Sequence, residues 1–284
     1  MNGPSRRSDR KVIAPVIYYA VRAILSFPIT GYPSSRLYLW RIRSQITRKE
    51  DNGSILYGPE SQITTIGDLY ERYTTSLFSS YIAPDSIVLD VGANLGHFTV
   101  LAAKKAINGT VYSFEPDPFT FKLLNQNCKI NMVKNVVTFN LACLDREGVF
   151  TLNLRLKNLG GHSFVKMHSW WPRETVKTVR LDDILKQTKL DVAKIDAEGS
   201  EVMILDGMRG IIRRSPNMKM FIECNPELLA KMGFTADDLI DRLEREGFTY
   251  SAILEEQMQR VPFSKDILQN RGFVNFFCER QHAA

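Results

Sequence analysis

The sequence predicts an α/β fold built on a doubly wound, mostly parallel sheet. Three observations carry this. Short apolar runs recur from residue 87 onward, and most are followed by a stretch of helical periodicity. The first run, Ile87-Val-Leu-Asp-Val91, breaks into Gly92-Ala93-Asn94-Leu95-Gly96 and then into the helical pattern of Phe98, Val100, Leu101, Ala102 and Ala103. Four of the first five runs in the main alternation end in a carboxylate: Asp90, Glu115, Asp196 and Glu223. In open α/β sheets, that rim is where ligands bind.

Taken from the N-terminus, residues 1–11 are polar and basic. Residues 12–27 are strongly apolar but interrupted by Arg22 and Pro15. A spanning helix needs roughly 20 largely apolar residues without a central charge, so this run predicts a helix packed on the domain. The alternative is a helix lying in a membrane interface. Gly31-Tyr-Pro-Ser-Ser35 is a loop, residues 36–48 predict a second basic helix, and Asp51-Asn-Gly53 is a turn. A helical run over 65–81 precedes the first strand. The expected organisation is a basic helical extension over 1–64 and an α/β domain over 65–284.

Within that domain the expected strands are 87–91, 110–115, 136–140, 191–196, 218–223, 250–254 and 272–278. Helices are expected over 96–107, 117–130, 181–188, from 200, and over 235–246. Asp117-Pro118 opens the second of these with a good N-cap and a good first residue. A strand-rich insertion is expected over 148–156 and 175–179.

The chain has 284 residues and 44% apolar content, enough for a sizeable core. Its net charge of +6 is concentrated at the start: residues 1–50 hold ten Lys/Arg against Asp9 and Glu50. Such an arm is either a solvated surface or a contact for anionic lipid or nucleic acid. RNA-recognition modules rich in aromatics are absent, which argues against nucleic acid. Cys128, Cys143, Cys224 and Cys278 lack C-x-x-C spacing, which points to a reducing compartment and no structural zinc.

The turn distinguishes ligands. Position 94 is Asn where a dinucleotide fingerprint places its second glycine, and no P-loop lysine follows. Asp90 would repel a pyrophosphate but suits an ammonium. Glu115, at the end of the second strand, can accept both hydroxyls of a ribose. This combination favours S-adenosylmethionine over a nicotinamide cofactor.

The motifs Leu-Asp-Val-Gly-Ala-Asn-Leu-Gly (89–96), Phe-Glu-Pro-Asp-Pro (114–118), Asn-Leu-Gly-Gly-His-Ser (158–163), Val-Arg-Leu-Asp-Asp (179–183) and Lys-Ile-Asp-Ala-Glu-Gly-Ser-Glu (194–201) stand in order. With them the chain resembles the FkbM family of S-adenosylmethionine-dependent methyltransferases over roughly residues 85–255. The resemblance implies a class I, Rossmann-like fold with a seven-stranded sheet, and methyl transfer mostly to oxygen. It implies that Asp90, Gly92, Ala93, Asn94 and Gly96 hold the methionine end of the cofactor and that Glu115 takes the ribose hydroxyls. Pro116, Asn140 and Leu141 would surround adenine, and Asp196 would sit beside the methionine moiety or the acceptor.

An alcohol acceptor needs a base. The candidates are Asp196, Glu198, Glu223 and His162; His97, His168 and His282 are weaker. No metal ligand is assigned. A divalent ion on Asp196, Glu223 and Asn225, placed as in catechol O-methyltransferases, is the unfavoured alternative because Cys224 offsets the third position. The expected protein is therefore an O-methyltransferase acting on a sugar, glycolipid or secondary-metabolite hydroxyl. It is expected to be cytoplasmic, with peripheral membrane contact through residues 1–48 as an added option. The rivals are an RNA-binding methyltransferase and a non-catalytic cofactor-binding or membrane-scaffolding protein.

Overall fold

The computed structural model describes residues 45–68, 71–155, 159–165 and 172–280. The helix expected over 12–27, most of that over 36–48, His168 and His282 lie outside the described residues.

The described chain opens on a hairpin, β1 (Gln45–Lys49) and β2 (Ile55–Pro59), joined through the Asn52-Gly53 turn. Residues 45–48, expected at the end of a helix, are therefore strand. The turn supplies the reason: Gly53 adopts φ +78, and the Asn52 side chain accepts the Ser54 N–H at 2.8 Å. The hairpin is fixed to the helix Pro118–Ile130 by two asparagines one turn apart. Asn127 accepts from Tyr57 N (2.8 Å) and donates to Tyr57 O (3.0 Å); Asn131 does the same for Ile55 (2.8 and 2.6 Å). Each side-chain amide thus satisfies the backbone of β2 as a neighbouring strand would.

The helical run expected over 65–81 is two helices, Glu60–Asp68 and Arg72–Ser80. The main sheet then builds from β3 (Ile87–Val91), β4 (Thr110–Phe114), β5 (Val136–Phe139), β9 (Val192–Ile195), β10 (Lys219–Cys224), β11 (Phe248–Leu254), β12 (Gln259–Pro262) and β13 (Val274–Arg280), in the order β12-β11-β13-β10-β9-β3-β4-β5. Strands β3, β4, β5, β9 and β10 are parallel, and β13 runs antiparallel between β10 and β11. The sheet has eight strands, not seven. The added strand, β12, is a short Gln-Arg-Val-Pro segment whose composition gives no alternation signal. The turn Glu255–Met258 folds it back onto β11.

The insertion forms a separate three-stranded sheet from β6 (Ala142–Cys143), β7 (Gly148–Asn153) and β8 (Arg173–Val179). Helices cover both faces of the main sheet. One face buries Leu89, Ile195, Ile222, Leu205 and Leu239; the other buries an edge-packed aromatic group of Phe78, Phe98, Phe221 and Phe277. The helix Ala236–Arg245 begins at a capping box between Thr235 and Asp238. Among the described residues, no helix is long and apolar enough to cross a membrane.

Candidate active site

Leaving β3, the chain turns against the end of β4: the N–H groups of Gly92 and Ala93 both donate to Phe114 O at 3.0 Å. Gly92 has φ +80, and a Cβ there would lie 1.8 Å from Asp196 O, so only glycine lets the loops after β3 and β9 close on each other. Asn94 takes a left-handed φ of 50, which asparagine tolerates. This aims its N–H at Glu115 Oε2, 2.8 Å away. Glu115 Oε1 accepts from Asp117 N at 2.9 Å. Burial, then the neighbouring Asp117 charge, pushes the Glu115 carboxyl up to about 8.

Gly92, Asn94, Glu115, Pro116 and Leu141 share one cleft with Asp196, Glu198 and His162. Other predicted residues stand behind it. Asp90 lies one layer beneath: it is buried, accepts from Thr99 Oγ1 at 2.5 Å, and is pushed up to about 6 by burial. Asn140 donates to the carbonyls of Glu115 and Pro116, both at 2.9 Å, and so fixes the loop backbone. Gly96 and Ala93 contribute backbone geometry only.

The acids after β9 and β10 form a cluster around Lys194. Its Nζ donates to Asp196 Oδ2 at 2.9 Å. Glu201 accepts the N–H groups of Ala197 (2.9 Å) and Gly199 (3.0 Å), bracing the loop that presents Glu198. Burial, then the Asp196 charge, pushes Glu198 up to about 8; burial likewise pushes Glu201 up to about 7 and Glu223 well above the carboxylate range. Glu223 is buried and does not reach the cleft wall.

Glu115, Glu198 and Glu201 hold more protons in the folded chain than in the unfolded chain between about pH 4.5 and 8. Stability contributed by them is complete below that window and is lost as pH rises through it. The ligand-free protein is therefore expected to melt at a higher temperature at pH 5 than at pH 8, as differential scanning calorimetry would read directly.

His162 is held at both ring nitrogens. Nδ1 accepts from Arg155 N at 3.1 Å, and Nε2 lies 3.5 Å from Asp117 Oδ2. This geometry suits wedging the insertion against the Asp117 loop more than shuttling a proton. His97 bridges Glu50 (3.1 Å) and Thr75 (3.1 Å), away from the cleft. Among the described residues, no three His, Cys, Asp or Glu converge as a metal site. Asn225, considered for that role, caps the helix Pro226–Lys231 instead.

Sequence reasoning missed Lys194, Glu201 and Ser163, whose hydroxyl donates to Glu198 O at 2.6 Å. The signal for Lys194 was present: a lysine inside an apolar strand, two residues before Asp196 and therefore on the same side of the sheet.

The cleft suits a ligand with vicinal hydroxyls and an ammonium group. Glu115 offers the acceptors for the first. Asn94 Oδ1, buried without a hydrogen-bond partner among the described residues, needs a donor.

A family model described as the methyltransferase FkbM domain matches residues 90–250. The Beauveria bassiana protein "Methyltransferase 1" is 24% identical over 146 residues, covering 44% of this chain and 59% of that protein. The Haloferax volcanii hexuronic acid methyltransferase AglP is 26% identical over 132 residues, covering 45% and 52%. The chain thus spans little more than half the length of these relatives. A solved Methanocaldococcus jannaschii TYW2 bound to AdoMet overlaps 84% of this chain and 87% of its own, at a TM-score of 0.45 and 14% identity. With more than half of its residues inside the matched domain, the chain belongs to the FkbM family of S-adenosylmethionine-dependent methyltransferases.

Proposed function

We propose that the protein transfers a methyl group from S-adenosylmethionine to a hydroxyl of a sugar, glycolipid or secondary metabolite. The observation that carries this reading is the shared cleft, in which the Glu115–Asn94 pair and the Asp196–Glu198 pair line one space. The relative AglP, which acts on a hexuronic acid, supports a sugar-like acceptor.

S-adenosylmethionine supplies a methyl group already activated on a sulfonium. Glu115 accepts its ribose hydroxyls, and Asn94 Oδ1 accepts a further donor. Pro116 and Leu141 border the base. Asp196, held by Lys194, orients the acceptor hydroxyl. Glu198 takes the acceptor hydroxyl's proton as that oxygen gains the methyl group; the bound cofactor would be the leaving group and would retain the bonding pair. Glu198 suits this step because it reaches the cleft and titrates near working pH, where a base is most effective. Positioning supplies much of the remaining acceleration, on the order of 7–11 kcal/mol in favourable cases.

Calorimetry with S-adenosylhomocysteine tests the cofactor site. The wild-type protein is expected to give saturable heat, and Glu115→Ala to weaken binding about 10–100-fold, as loss of two buried hydrogen bonds does. Folded wild-type protein giving no saturable heat would overturn the proposal.

A further inference from the structure

A second cleft opens on the same rim of the sheet, where β11 ends and β13 begins. It is lined in part by Glu71, Glu255, Phe273 and Asn275 and has a volume of about 570 Å³. Asn275 pairs with Glu223 across β10 and β13, so this cleft lies one strand beyond the acid cluster. A buried polar chain stands between the two clefts. Lys194 Nζ lies 2.9 Å from Asp196 Oδ2 and 3.8 Å from Glu71 Oε1, and Asn275 Nδ2 donates to Glu71 Oε1 at 2.6 Å.

Glu71 is 7% exposed and Asn275 5% exposed. Even so, Glu71 Oε2 and Asn275 Oδ1 are buried without hydrogen-bond partners among the described residues. Buried acceptors left unpaired are costly and need an explanation. Their neighbours are already engaged: Glu255 accepts from Tyr73 N, Thr74 N and Thr74 Oγ1, and Arg271 bonds Glu256 and Gln257. Phe273, 47% exposed, adds an apolar face. Two unpaired acceptors beside an open aromatic ring match a ligand that brings several O–H donors and a C–H face.

We propose that this second cleft is the acceptor subsite and takes a polyhydroxylated sugar ring. Its hydroxyls donate to Glu71 and Asn275, and its C–H face rests on Phe273. The assignment as acceptor subsite rests on the methyl-transfer reading above; the sugar-binding chemistry does not.

Saturation-transfer NMR on the full chain with S-adenosylhomocysteine added tests it. The probe is methyl β-glucopyranoside, and its fully O-methylated derivative is the donor-free control. Transfer is expected to the glucoside ring protons and much less to the derivative. Binding is expected to weaken about fivefold in Phe273→Ala and at least as much in Asn275→Ala. Phe273 is exposed, so its variant stays informative if the Asn275 variant misfolds. S-adenosylhomocysteine affinity, measured in parallel, is expected to be unchanged in both. Absent glucoside transfer, equal transfer to the derivative, or undiminished binding in Phe273→Ala overturns the subsite while leaving the cofactor result intact. Failure of the wild type to bind S-adenosylhomocysteine removes the acceptor assignment together with the reading beneath it.

Discussion

Replacing Glu198 by glutamine is expected to lower methyl transfer about 10²–10⁴-fold, the usual contribution of a positioned general base. The substitution keeps the side chain's size, and Glu198 is not assigned to the cofactor, so S-adenosylhomocysteine affinity should hold. The pH profile carries a second signature. With Glu198 pushed up to about 8, the wild-type rate should climb as the carboxyl loses its proton and level off above that pH. In Glu198→Gln that climb should vanish. Labelled methyl transfer from S-adenosylmethionine into a crude glycolipid extract, read from pH 6 to 9, measures both. An unchanged rate and profile would assign the proton to another group.

Lys194→Met is expected to cost about 3–5 kcal/mol of stability, the range for removing one partner of a buried ion pair. Lys194 is 1% exposed, its Nζ bonded to Asp196 and 5.1 Å above the Phe98 ring. Burial alone would lower its pKa, but Asp196 and Glu71 outweigh burial and raise it, so the ammonium is firmly held. Methionine fills similar space without the charge, leaving Asp196 and Glu71 without the cation that stands between them. Urea unfolding should show a lower midpoint with little change in slope.

Much of this architecture is legible in the chain because its strands are apolar and its turns carry glycine. Each of the seven strands expected for the main sheet lies in it, within a residue or two at its ends. β12 was not legible because hairpin closure, not residue preference, makes Gln259–Pro262 a strand. β1 was misread because Ile46 fits helical spacing equally well, and its partner lies beyond a turn. In the site, the ends of β3, β4 and β9 do converge, as parallel topology requires. Side-chain direction is what one dimension hides. Asp90 and Val91 alternate across the pleat, so Val91 lines the cleft while Asp90 drops below it. Glu223 and Asn140 sit at strand ends too, yet packing and backbone hydrogen bonds engage them elsewhere.

Asn127 on the helix Pro118–Ile130 and Asn131 at its C-terminal cap set a practical limit on trimming. A fragment beginning at residue 65 would take from the side-chain oxygens of Asn127 and Asn131 the β2 N–H groups that they now accept. It would also uncover Leu123 and Leu95, which Leu56 and Ile63 shield. A piece able to stand alone therefore keeps β2, and versions without it should be sticky and poorly folded for reasons unrelated to chemistry.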